Sequence, residues 1–229
     1  AQGVAYSAKE LGIKATIFMP KTTPLIKVNA VRDLKAKVVL VGNNFDDALK
    51  ESKTFCKKNK VNFIHPFDDP LVIAGQGTVG MEISEQFPEN LYAVFVAVGG
   101  GGLIAGIGAY LNKVHPNVKI IGVEAADSAG LHASVKAGKR VKLKEVGLFA
   151  DGAAAKQIGK NNYELIKNFL DDSITVDTDE ICAAVKDTFL ETRTVPEPTG
   201  ALALAGLKKY TSQKRIKNKN LIATYCGSN

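Results

Sequence analysis

The 229 residues are 45% hydrophobic and 23% charged, which fits a globular protein and excludes disordered, collagen-like and coiled-coil chains. The net charge of +7 raises nucleic acid as a partner, but the basic stretches at residues 136–144 and 208–219 carry no helix-turn-helix or RNA-binding signature. They read as solvated helix ends and loops, so the expectation is no nucleic-acid partner.

The longest apolar run, residues 91–98, stops at four glycines and is far too short for a membrane span. No charged-then-apolar leader opens the chain, and the three cysteines, Cys56, Cys182 and Cys226, lack metal-ligand spacing. These features point to a reducing cytoplasm, with no membrane partner and no metal.

Taken in chain order, Val4, Ala8 and Leu11 have helical spacing without a capping residue before them, and Gly12 ends the turn. An uncapped helix at residue 1, with no initiator Met, suggests chain upstream. Residues 15–19 then read as a buried strand, 23–34 as a helix with Pro24 in its first turn, and 37–41 as a strand. Asn44 can cap a helix to about residue 59, followed by a strand at 61–64. Helices are expected at 69–86, 103–114, 178–192 and 198–210, and strands at 91–98, 118–123, 173–176 and 221–225. Strands alternating with helices imply an α/β fold, with parallel sheets covered on both faces. Pro66, Asp68, Asp69 and Pro70 mark a boundary near residues 65–69, with three strand–helix units before it and longer, more hydrophobic ones after it.

Three stretches carry chemistry. Gly99, Gly100, Gly101 and Gly102, followed by Leu103, lie between an apolar strand and a helix. Such a turn lets the backbone approach a ligand and adds the positive helix end, which suits a phosphate. It is neither a P-loop nor a dinucleotide fingerprint, since no Lys-Ser or Lys-Thr follows and Gly106 and Gly108 stand at the wrong offsets. Cys226 follows the last strand, at the sheet end where ligands sit in such folds, or is a small buried hydrophobe. Glu197 is held between Pro196 and Pro198 at a helix start, where the dipole favours its charge, or is a plain first-turn glutamate on a surface helix. Glu124, just past a strand, can face a ligand, coordinate a metal or be a plain strand-end carboxylate. His65, His115 and His132 read as structural.

In this order the stretches resemble the fold-type II family of pyridoxal-phosphate (PLP) enzymes, and within it the threonine ammonia-lyase branch. The match includes Ala1-Gln2-Gly3-Val4-Ala5, Ala74-Gly75-Gln76-Gly77-Thr78, the glycine loop, Val123-Glu124-Ala125, the stretch from Val146 to Gly152, Ile181-Cys182-Ala183-Ala184, and the stretch from Glu197 to Ala205. The resemblance implies a two-domain fold like the tryptophan synthase β chain, incomplete at its N-terminus, with a small domain including residues 1–67 and a large cofactor-holding domain including residues 68–229. It implies that the glycine loop holds the cofactor phosphate, that Cys226 faces the pyridine nitrogen, and that Glu197 is a candidate near the cofactor. It further implies deaminating β-elimination of L-threonine, serving isoleucine biosynthesis, with L-serine as lesser substrate, in a homo-oligomer. Serine dehydratase or racemase of the same family is the alternative, as is a catalytically incomplete phosphate-binding fragment. Racemase relatives bind a cation near the position of Glu124, using a second carboxylate six residues on, where this chain has Gly130. The family's Ser-x-Gly-Asn-His motif would immediately precede Ala1, with the Schiff-base lysine still further upstream, and none of this chain's lysines stands in that motif.

Overall fold

A computed structural model describes residues 1–87 and 89–227. The chain divides into two compact units, Ala1–Pro66 and Phe67–Asn229.

The first unit contains α1 (Gln2–Glu10), β1 (Thr16–Met19), α2 (Leu25–Asp33), β2 (Lys37–Leu40) and α3 (Phe45–Asn59). β1 and β2 pair in parallel, and Ala5, Ile17, Met19, Val28, Val31 and Ala36 form the core beside them. Asn44 caps α3 as its sequence position requires, accepting from the Asp47 N–H at 3.0 Å. Pro24 is the residue preceding α2, not part of its first turn. The strand expected at 61–64 does not form. Val61 and Ile64 are half exposed there, and residues 61–64 form no hydrogen-bond ladder with a described strand.

The second unit contains α4 (Pro70–Gln86), β3 (Leu91–Ala97), α5 (Gly102–Val114), β4 (Lys119–Ala125), α6 (Gly130–Ala137), α7 (Lys160–Ile166), β5 (Leu170–Val176), α8 (Thr178–Thr192), α9 (Pro198–Lys214) and β6 (Asn220–Ala223). Its sheet runs β5-β4-β3-β6, all parallel. β3 shows why both faces are covered. Ala93, Phe95 and Ala97 join the core under α8 and α9, while Val94, Val96 and Val98 join the core under α4, α5, α6 and α7. A strand apolar on both sides is the signature of a parallel sheet between helical layers.

α6 and α7 are absent from the sequence-based reading because both are short and begin with glycines rather than side-chain caps. α8 has a full capping box, with Asp177 accepting from the Glu180 N–H and Glu180 accepting from the Asp177 N–H, at 2.8 and 2.9 Å. Lys209 on α9 donates to Glu180 and to the Thr175 carbonyl, both at 2.9 Å, which ties α9 to the start of α8.

α4 and α5 approach backbone to backbone. A Cβ on Gly106 would fall 2.5 Å from the Ile73 carbonyl oxygen and 2.6 Å from the Gly77 nitrogen, so Gly106→Ala must force the helices apart. A loss of about 1–3 kcal/mol in urea unfolding is expected. Gly75→Ala, whose added carbon meets nothing within 4 Å, should instead stabilise by up to about 1 kcal/mol.

Candidate functional site

Because β3 and β6 are parallel neighbours, the segments that follow them leave the sheet at the same end. The Thr224 N–H donates to the Phe95 carbonyl at 3.0 Å, which fixes the register on the way to Cys226. One segment is the loop Gly99, Gly100, Gly101 and Gly102 with Leu103, and the other carries Cys226 and Gly227.

The glycine loop is pressed from two sides. A Cβ on Gly100 would fall 2.4 Å from the Phe67 ring, and one on Gly99 would fall 2.8 Å from the Ala153 Cα. Gly101, which precedes α5, has φ +89°, a left-handed conformation that glycine adopts without steric cost. Its carbonyl accepts from the Ala105 N–H at 3.0 Å. Among the described residues, the N–H groups of Gly99, Gly100, Gly101, Gly102 and Leu103 have no acceptor. They form a cluster of unspent donors at a helix N-terminus, where the backbone dipoles favour an anion.

Across the site, Glu197 and Cys226 are brought together. The Glu197 N–H donates to the Gly227 carbonyl at 3.2 Å, and the Cys226 thiol donates to the Thr199 carbonyl at 3.5 Å. The Cys226 side chain reaches solvent, yet its sulfur is desolvated by the surrounding protein. That burial, with the nearby Glu197 carboxylate, pushes the thiol up to about 11. At neutral pH Cys226 is therefore an uncharged thiol. The buried hydroxyls of Thr199 and Thr224 have no hydrogen-bond partner among the described residues. Polar atoms stranded in this way normally meet a ligand or water.

The two halves are joined by a turn whose role the sequence did not disclose. Ala153 lies under Gly99, and the preceding Gly152 sits where a Cβ would be 3.0 Å from the Thr199 hydroxyl and 3.3 Å from Glu197 Oε1. Sequence reasoning also missed Asn162, which donates to the Gly100 carbonyl at 2.8 Å and the Phe67 carbonyl at 3.0 Å. The partners lie 62 and 95 positions away, and no local pattern announces such a contact.

A planar ligand with a phosphate at one end and a weakly basic nitrogen at the other fits this donor set. The residues present thus fit pyridoxal phosphate. A scan against family models matches residues 1–227 to the pyridoxal-phosphate dependent enzyme family. The chain belongs to that family. It is 55% identical over 221 residues to the mitochondrial threonine dehydratase of Schizosaccharomyces pombe, covering 96% of this chain and 37% of that protein. It is 50% identical to the biosynthetic L-threonine dehydratase IlvA of Burkholderia multivorans, covering all of this chain and 46% of that one. The solved processed form of threonine deaminase isoform 2 from Solanum lycopersicum matches with a TM-score of 0.95 and 44% identity, over 100% of this chain and 66% of that one. The chain thus spans less than half the length of these curated relatives.

Glu124, which the sequence left open between ligand, metal and strand end, is almost wholly buried and turned toward α6. Its two oxygens accept from the N–H groups of Leu131 and His132, each at 2.7 Å, so it caps that helix. His132 uses its Nδ1 on Ser173, at 2.9 Å from the hydroxyl, and His115 pairs with Ser84 at 2.7 Å. Burial pushes Glu124 up to about 7, against the pull of the N–H groups of His132, Leu131 and Gly130. A carboxyl raised this way binds its proton more tightly in the folded state. The stability it confers is full below about 4.5 and is lost as pH rises through about 7. Wild-type urea midpoints should therefore fall between these pH values relative to Glu124→Gln, whose side chain does not titrate. Parallel profiles would contradict this.

Proposed function

We propose that this chain forms the cofactor-binding part of a threonine dehydratase. Such an enzyme eliminates water from L-threonine and releases 2-oxobutanoate and ammonia, with L-serine as a lesser substrate, feeding isoleucine biosynthesis. The observation that carries this reading is the meeting, on adjacent strand ends, of an anion-binding glycine loop and an uncharged thiol. Relatives bearing the threonine dehydratase name, about half identical across the whole chain, support the choice of substrate.

In this reading the large domain includes residues 68–229 and the small domain residues 1–67. The N–H groups of Gly99, Gly100, Gly101, Gly102 and Leu103 hold the cofactor phosphate, and Cys226 meets the pyridine nitrogen. When bound, pyridoxal phosphate supplies an electron sink for the pair left at the substrate's α-carbon. A neutral thiol at the ring nitrogen stabilises no positive charge there, which tempers that sink and suits early loss of the β-hydroxyl. The glycine loop, by fixing the phosphate, also holds an acid group where it can assist that departure. Glu197 acts through the Cys226 corner, whose backbone it holds and whose thiol, raised first by burial, its charge pushes further up.

The three cysteines are free thiols, which supports a reducing compartment such as the cytoplasm. No helix among the described residues is long and apolar enough to cross a membrane. Assembly as a homo-oligomer is part of the same proposal.

The test is turnover by the full encoded protein with pyridoxal phosphate. Threonine should give 2-oxobutanoate and ammonia in equal amounts, with a higher kcat/KM than serine. Preference for serine, or racemisation without ammonia, would overturn the reading. Gly100→Ala, whose added carbon would fall 2.4 Å from the Phe67 ring, should lower this elimination. Displacing the loop by an ångström implies a loss of roughly 10–100-fold.

A further inference from the structure

Asn162 is fully buried, and its amide does two things at once. The Nδ2 group donates to the Gly100 and Phe67 carbonyls, while the Oδ1 atom has no partner among the described residues. A buried acceptor without a partner costs free energy that an apolar side chain would avoid. A residue retained at such a cost is expected to serve something other than packing.

The peptide plane shows what that is. In a trans peptide the carbonyl of one residue and the N–H of the next point in opposite directions. The Gly100 carbonyl is held by two donors, the Asn162 amide at 2.8 Å and the Gly159 N–H at 3.0 Å. Both donors belong to the start of α7, so the Gly101 N–H must point away from α7. The same relation holds one residue on. The Gly101 carbonyl is engaged by Ala105 within α5, which aims the Gly102 N–H the opposite way. Glycine peptides rotate easily, because no Cβ opposes the change. Without an anchor, the 100–101 peptide could turn over and present a carbonyl oxygen where a phosphate must bind.

The anchor is itself anchored. The Asp68 carboxylate accepts from the N–H groups of Lys160, Asn161 and Asn162, at 2.8, 2.8 and 3.2 Å. The start of α7 is thereby fixed beside Phe67, whose ring and backbone pack on Gly100 and Gly102.

We propose that Asn162 is a positioning residue for the phosphate loop, locking the Gly100–Gly101 peptide so that the Gly101 N–H faces the bound phosphate. This rests on the assignment of the glycine loop to the cofactor phosphate. The test compares the full protein's affinity for pyridoxal 5′-phosphate and for pyridoxal, which lacks the phosphate, by absorbance titration. Asn162→Ala should lower affinity for the phosphate form at least about tenfold and leave pyridoxal within about twofold. Asn162→Asp, which keeps the shape but offers no amide donor, should do the same and guards against a packing defect at Ala. A wild type that binds both compounds equally would overturn the phosphate assignment itself. If the wild type prefers the phosphate form and both variants keep that preference, the positioning role falls. Equal loss for both compounds would reduce Asn162 to a structural residue and also overturn it.

Discussion

The direction of two peptide planes decides what the site can bind. The carbonyls of Gly100 and Gly101 are each engaged away from the loop mouth, one by the start of α7 and the other by the second turn of α5. A loop of glycines left to itself would sample many peptide orientations, and only a few collect N–H groups toward one anion. The protein removes that freedom with N–H donors that engage the loop's carbonyls rather than with side chains on the loop, which has no room for any. Pre-set donors of this kind cost no rearrangement when the charge arrives.

The sheet explains why the second half of the site is in reach. β6 pairs with β3 although more than a hundred residues separate them in sequence, so Cys226 emerges beside the glycine loop. Apolar residues on both faces of β3 require helices on both sides, which leaves the ends of the strands as the open place for a ligand. The turn Asp151–Ala153 closes the gap between the two halves, with Ala153 under Gly99 and Gly152 against Thr199. Nearby, Glu124 spends its carboxylate on the α6 N-terminus and so serves the frame rather than the chemistry.

Much of this was legible in the sequence where the signal is local. Long apolar strands, the Asn44 cap and the four glycines all act through neighbours within a few positions, and each element appears where those residues place it. The strand expected at residues 61–64 failed because apolar, β-prone residues form a strand only beside a partner. α6 and α7 escaped notice because short helices with glycine starts owe their existence to tertiary contacts such as Asp68 on the α7 N–H groups. For the site, glycines 99–102, Cys226 and Glu197 could be nominated from their surroundings. Asn162, Asp68 and Gly152 could not, since each works on a residue far away in the chain.

The most direct test of the central claim is a crystal structure of the full encoded protein grown with pyridoxal phosphate. Expected is a phosphate within hydrogen-bond distance of the Gly101 and Gly102 N–H groups, with the Cys226 sulfur facing the pyridine nitrogen. A cofactor whose phosphate lay elsewhere, or a Gly100 carbonyl turned toward it, would contradict the claim.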